Sequence, residues 1–175
     1  MSDIYAVRTN QKLEFARLHI RELERAEESS QWSKHAKIES YHESILFFMA
    51  SGYAALLREI AENYRLNVAR VDRFYDLTEQ LEQTGQESPE VEELEQLERD
   101  RGSWLHKMLH AYDACWQAEA RRQAHTEPDS SVSAIHVVQI NPNHAEDRDV
   151  LAEYRGWLQA FRELVERLRS GMQEW

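Results

Sequence analysis

His106, His110 and Asp113 carry the spacing i, i+4, i+7, which on a helix sets two imidazoles and a carboxylate along one face, where a zinc or iron ion could be held. The residues around them fix which way that face points. At about 100° per residue, the three lie roughly opposite the apolar stripe Trp104, Met108, Tyr112 and Cys115, so the sequence places them toward water as a hydrated polar face. Glu39 and His42 form a Glu-x-x-His pair, half of the arrangement with which helical bundles clamp two metal ions. The other half is missing, because no other histidine has a glutamate three positions before it. No metal and no cofactor is therefore expected, and His106, His110 and Asp113 stand as the alternative ligand set.

The other templates for chemistry are absent: there is no glycine-rich phosphate loop, no Cys-x-x-Cys pair and no Gly-x-Ser-x-Gly elbow. Cys115 falls on the apolar stripe of its helix, where an inert buried thiol is expected rather than a nucleophile. No catalytic residue is assigned. Near the start of the chain, Arg8, Asn10, Gln11 and Lys12 gather hydrogen-bond donors just ahead of an apolar helix and form the candidate binding patch. The competing reading is a helix cap at Thr9 or Asn10 flanked by solvated charges.

Arg101-x-x-x-x-His106 resembles the short motif of the HEPN superfamily of helical ribonucleases. The resemblance implies an arginine and a histidine converging across a dimer to stabilise a phosphorane and move a proton. Gly102 departs from it, standing where that motif has a polar residue, and a glycine there also reads as a stop between two helices. A site made of His42, His106 and His110 would resemble the three-histidine bundles of the DinB-like superfamily. An enzyme reading thus uses His106 with Arg101 or His110.

These residues need elements to position them. The chain has 175 residues, 42% hydrophobic and 30% charged, with only five glycines and three prolines, a balance that favours one core built from long helices. The spacing of Leu13, Ala16, Ile20 and Leu23 predicts a helix from about Thr9 to Glu28, with Phe15 and Leu18 on a second flank. After a turn at Glu27 to Ser30, a second helix is expected from Trp32 to Tyr64. Its middle, Ile45 to Met49 and Tyr53 to Leu57, is apolar in every helical direction and belongs at the centre of a bundle. Gly52 among Ala50, Ser51, Ala54 and Ala55 marks a place of close helix approach. A third helix is expected from an Asn67 cap to Gln83, and a short acidic one from Ser88 and Pro89 to near Gly102. A fifth should run from Ser103 to about Ala124, and a last one from an Asn143 and Glu146 capping box. Between these two, Val132 to Ile140 is rich in β-branched residues and reads as a lone extended segment.

Charge narrows the partners. A formal net charge of −11 opposes phosphate binding, so nucleic acid is not expected. The apolar run interrupted by Ser51 is read as too short to span a bilayer, and one cysteine with no secretory leader after Met1 points to the cytoplasm.

Across nearly its whole length the chain resembles a domain-of-unknown-function family of small helical proteins of pseudomonads and related gammaproteobacteria. The residues that carry the resemblance are Arg8 to Ala16, Ser103-Trp104-Leu105 and Ile135-His136-Val137-Val138. It implies a small bacterial cytoplasmic helical protein and no particular activity. The expectation is one all-α domain over residues 1–175, with a long central helix in a bundle of about five or six and one lone extended segment near 132–140. Its expected action is to bind another protein or to self-associate, with a homodimer paired through 132–140 as one form. The alternative is a metal-dependent or HEPN-like nuclease bundle.

Overall fold

A helix whose middle is apolar all round is stable only where other helices cover it. The computed structural model describes residues 4–116 and 148–173 and shows how the chain arranges that cover. The elements are α1 (Ile4–Glu28), α2 (Lys34–Asn63), a 3-10 turn (Val68–Arg70), α3 (Phe74–Thr84), α4 (Pro89–Arg99), α5 (Trp104–Ala114) and α6 (Arg148–Gln173). Among the described residues there is no strand, and the architecture is an all-α helical bundle. α2 touches α1, α3, α5, α6 and the 3-10 turn, α6 also lies against α1 and α5, and α4 packs on α5. By length and composition α2 could cross a membrane, contrary to the expectation drawn from its interrupted apolar run. The helices wrapped around it account for that apolarity as core.

The core follows the helical spacing closely. Leu13, Ala16, Ile20 and Leu23 of α1 meet Ile45, Leu46, Met49, Leu56, Leu57 and Ile60 of α2, all buried. Leu105 and Met108 of α5 close another side, and Phe161, Leu164, Val165 and Leu168 of α6 close a third. Each such side chain contributes roughly 1.5–3 kcal/mol when fully removed from water. Phe47 is the exception in the middle of α2, remaining 44% exposed.

Helix ends show where local chemistry overrode periodicity. α1 begins already at Ile4, and Thr9 lies inside it, its Oγ1 donating back to the Tyr5 carbonyl at 2.9 Å. The helix expected from Asn67 is broken into the 3-10 turn and α3. Asp76 is the cause: its Oδ2 accepts the backbone N–H groups of Asp72 at 2.9 Å and Arg73 at 2.8 Å, which starts α3 at Phe74. Those backbone donors, Arg73 first, hold the Asp76 carboxyl below its ordinary pKa. α3 stops at Gly85, whose φ of 66° is a left-handed conformation that suits glycine. Ser88 and Ser103 cap α4 and α5 as their positions suggest, each accepting an N–H three residues on. α5 is described over Trp104–Ala114, while residues 117–124 of its expected extent, the 132–140 segment and the Asn143 cap lie outside the described residues.

The close approach expected at Gly52 is made by α1 and α6 together. A Cβ placed there would lie 3.4 Å from Lys12 Cβ, 3.5 Å from Phe161 Cε1 and 3.6 Å from Leu13 Cδ2. A methyl group fits those distances, and anything larger does not. Gly52→Ala should therefore stabilise the protein by about 0.5–1 kcal/mol through helix propensity, whereas Gly52→Leu should destabilise it by about 1–3 kcal/mol through overpacking. Urea melts of both variants check this; a Gly52→Leu variant as stable as Gly52→Ala would mean that the helices do not meet at Gly52.

Candidate functional site

The face of α5 carries the residues first singled out for metal or nuclease chemistry. His110 and Asp113 are exposed, as expected of a hydrated face, and Arg101 is exposed in the turn before α5. His106 departs from that expectation: it is half-buried, with Nδ1 2.7 Å from the carbonyl oxygen of Glu98. Glu98 lies in the last turn of α4, where carbonyls lack helical N–H donors, so the first turn of α5 serves as the cap of α4. Ser103 adds to this, its hydroxyl donating to the Leu97 carbonyl. Because a carbonyl only accepts, His106 Nδ1 carries a proton there, and in the neutral ring Nε2 is the lone-pair atom. The His106 and His110 rings stand nearly parallel, 14° apart in tilt and 6.4 Å between centroids.

Glu98 also accepts a hydrogen bond from the buried Tyr53 hydroxyl at 2.7 Å. Burial pushes the Glu98 carboxyl upward, opposed by that hydrogen bond and by the charge of His106. Burial likewise raises Tyr53 well above an ordinary phenol. This is a coupled carboxyl, phenol and imidazole cluster joining α2, α4 and α5. Among the described residues, no three His, Cys, Asp or Glu side chains are placed to hold a metal ion together.

Glu39 and His42 are both buried, and His42 Nδ1 lies 3.0 Å from the Tyr154 hydroxyl of α6. With His42 engaged there and His106 at the end of α4, the described structure does not bring His42, His106 and His110 into one site. Cys115 is half-buried, and burial pushes its thiol up to about 11.

The candidate patch at the start of α1 divides in two. Asn10 is taken into a structural clasp, its Oδ1 accepting from Arg169 Nη1 at 2.9 Å. The same guanidinium holds Glu59 through Nε at 2.6 Å and Nη2 at 3.0 Å and reaches the Ala6 carbonyl at 3.2 Å, which ties α1, α2 and α6 together. Arg8 donates to Gln11 Oε1 at 2.5 Å on the surface. Lys12 turns the other way, its Nζ lying 5.3 Å and 5.4 Å from the ring centroids of Phe47 and Phe48. Burial and then the neighbouring charge of Arg8 lower its pKa.

Beyond Lys12 lies a surface that the periodicity did not reveal. Phe47 meets Phe48 at 5.5 Å between centroids, Phe48 meets Phe15 at 5.3 Å and His19 at 4.9 Å, and His19 meets Tyr41 at 5.7 Å. None of these five rings is buried. His19 is held in place through Nδ1, 2.7 Å from Ser44 Oγ, and since that hydroxyl gives its proton to the Tyr41 carbonyl, the imidazole is the donor. The signal that could have found this row is the adjacency of Phe47 and Phe48. At about 100° per residue, Ile45, Leu46 and Met49 share one side of α2, and Phe47 and Phe48 fall away from it.

The model of one protein family, described as Family of unknown function (DUF6586), matches residues 1–175. No curated protein and no solved structure matches the chain.

The state of Cys115 yields a direct test of whether that thiol takes part in chemistry. With its pKa raised to about 11, only about one thiol in a thousand is ionised near pH 8, against roughly a quarter for an ordinary cysteine. Alkylation by iodoacetamide should be slow at pH 8 and climb about tenfold per pH unit toward 11. A rate that levels off below pH 9 would reveal an activated thiolate instead.

Proposed function

The chain belongs to DUF6586, a family of unknown function, and on that premise we propose that the protein acts by binding another protein through the ring face of the α1–α2 hairpin. The observation that carries this reading is a connected ring cluster centred on Phe48, which meets Phe47, Phe15 and His19, with Tyr41 against His19; Phe47 is exposed and the other four rings are half-buried. Rigid aromatic side chains give large contact area with little rotamer entropy to lose, which is why they anchor interfaces. One end of the row is cationic, with Lys12 over two rings and Arg8 beside it, in a chain of net charge −11. The complementary surface offers a carboxylate next to apolar side chains, as the acidic edge of an amphipathic helix does. Two chains each carrying −11 repel at long range, which favours a different protein over a second copy. The action is non-enzymatic and its setting the cytoplasm.

A second reading keeps His106 as a nuclease base, favoured by the single observation that its Nδ1–H is fixed on the Glu98 carbonyl and Nε2 is left with its lone pair. Against it, the exposed Arg101 sits in a turn where it also complements the end of α4, and the net charge repels RNA. Bulk RNA should therefore survive incubation with the purified protein. Cleavage abolished by both Arg101→Ala and His106→Ala would move the assignment to this reading.

The binding reading is tested by comparing Phe47→Asp and Lys12→Glu with Tyr75→Asp, a control at an exposed ring elsewhere. A protein retained from the native host should be purified and titrated against all three. Its affinity should fall about thirtyfold or more for Phe47→Asp, the loss of an anchor worth about 2 kcal/mol, and stay unchanged for Tyr75→Asp. Equal affinity across the set would overturn the reading, and a dimer that Phe47→Asp splits would replace the foreign partner by a second copy.

A further inference from the structure

We propose that His106 and His110 form a two-point clamp for a divalent first-row transition cation of the copper, nickel and zinc class. The two rings are one helical turn apart on α5, tilted by only 14° and separated by 6.4 Å between centroids. Two ligand bonds of about 2.0–2.1 Å each span roughly 4 Å through the metal, a gap that the exposed His110 closes by turning about its own side-chain bonds.

His106 is already oriented for the task. Its Nδ1–H is held by the Glu98 carbonyl at 2.7 Å, which fixes the tautomer and presents Nε2 as the ligand atom. A carbonyl or carboxylate behind a ligating imidazole is the usual second support of a metal site and sets both ring direction and basicity. The Glu98 carboxylate adds negative potential, being near enough to His106 for the two charges to interact. Neutral imidazole selects copper, nickel and zinc over magnesium and calcium, which require oxygen ligands.

The clamp takes two protein ligands and completes its coordination with water. No three His, Cys, Asp or Glu side chains converge among the described residues, so Asp113 stands further along the same face without joining the pair. A two-ligand site of this kind exchanges its metal, unlike the closed sites that hold a structural ion. Because it bridges the first two turns of α5, an occupied clamp also stiffens the helix that caps α4.

The test titrates the purified full chain with Cu2+, Ni2+, Co2+ and Mg2+ near neutral pH, following heat of binding and melting temperature. The expected order is copper over nickel over cobalt, with no response to magnesium. His110→Ala removes an exposed ring and leaves the packing of α5 in place; it should weaken copper binding by about tenfold or more and abolish the rise in melting temperature. His106→Gln should do the same to the metal response while circular dichroism shows the helices intact. Copper binding that is as tight in His110→Ala as in the parent, or a melting temperature raised equally in both, would overturn the clamp and place binding on other side chains.

Discussion

Between Ile45 and Leu57 α2 carries apolar side chains in every helical direction, and the remaining described structure is arranged by the need to cover them. α1 supplies one wall as an antiparallel hairpin arm, α6 closes over Gly52 with Phe161, and α5 seals another side with Leu105 and Met108. The short helices α3 and α4 follow from the same need, since each is long enough to contribute two or three buried side chains and to hand the chain on. Cover is incomplete at Phe47, which stays 44% exposed, and at the half-buried Phe48 beside it. There α1 answers with Phe15 and the stem of Lys12 rather than with aliphatic core residues, and the rings stay wet.

Polar ties fix the angles that apolar contact leaves free. Glu59 and Arg169, with side chains 11% and 25% exposed, join α2 to α6 bidentately and draw in Asn10 of α1. Glu90 accepts from the hydroxyls of Tyr64 at 2.6 Å and Ser88 at 2.8 Å, so a buried carboxylate links the end of α2 to the start of α4. Glu98 uses two different groups, its carboxylate accepting from the Tyr53 hydroxyl of α2 and its backbone carbonyl from His106 Nδ1 of α5. Each carboxylate has a donor facing it, which is what a charged group needs to remain inside a helical bundle. The burial of Glu59 and Glu90 is thus accounted for by packing and hydrogen bonds, and among the described residues the α4–α5 junction combines a fixed imidazole with an exposed second one beside it.

The long elements were legible because periodic apolar spacing and burial are the same fact seen twice: Leu13, Ala16, Ile20 and Leu23 became one buried stripe, and Ser88 and Ser103 became caps. Legibility failed where a side chain acted across the sequence. Asp76 started α3 by accepting two backbone donors, which no hydrophobic period announces. His106 turned inward because α4 ended beside it with an unsatisfied carbonyl, and a helical wheel of α5 alone contains nothing of α4. Asn10 looked like a surface donor until Arg169, far along the chain, was placed against it. Lys12 of the candidate patch stands over Phe47 and Phe48, rings of α2 that a reading of α1 alone does not contain.

The central claim is that wrapping α2 leaves the rings of Phe15, Tyr41, Phe47 and Phe48 as a docking face. Hydroxyl-radical footprinting read out by mass spectrometry measures it residue by residue, in the free protein and inside cells of its host. The account predicts ready oxidation of Phe47 and Phe48 in the purified protein, protection of these rings in the cell, and no difference at Tyr75. Rings that are protected in the purified monomer, or that oxidise equally in both settings while protection appears elsewhere, would contradict it.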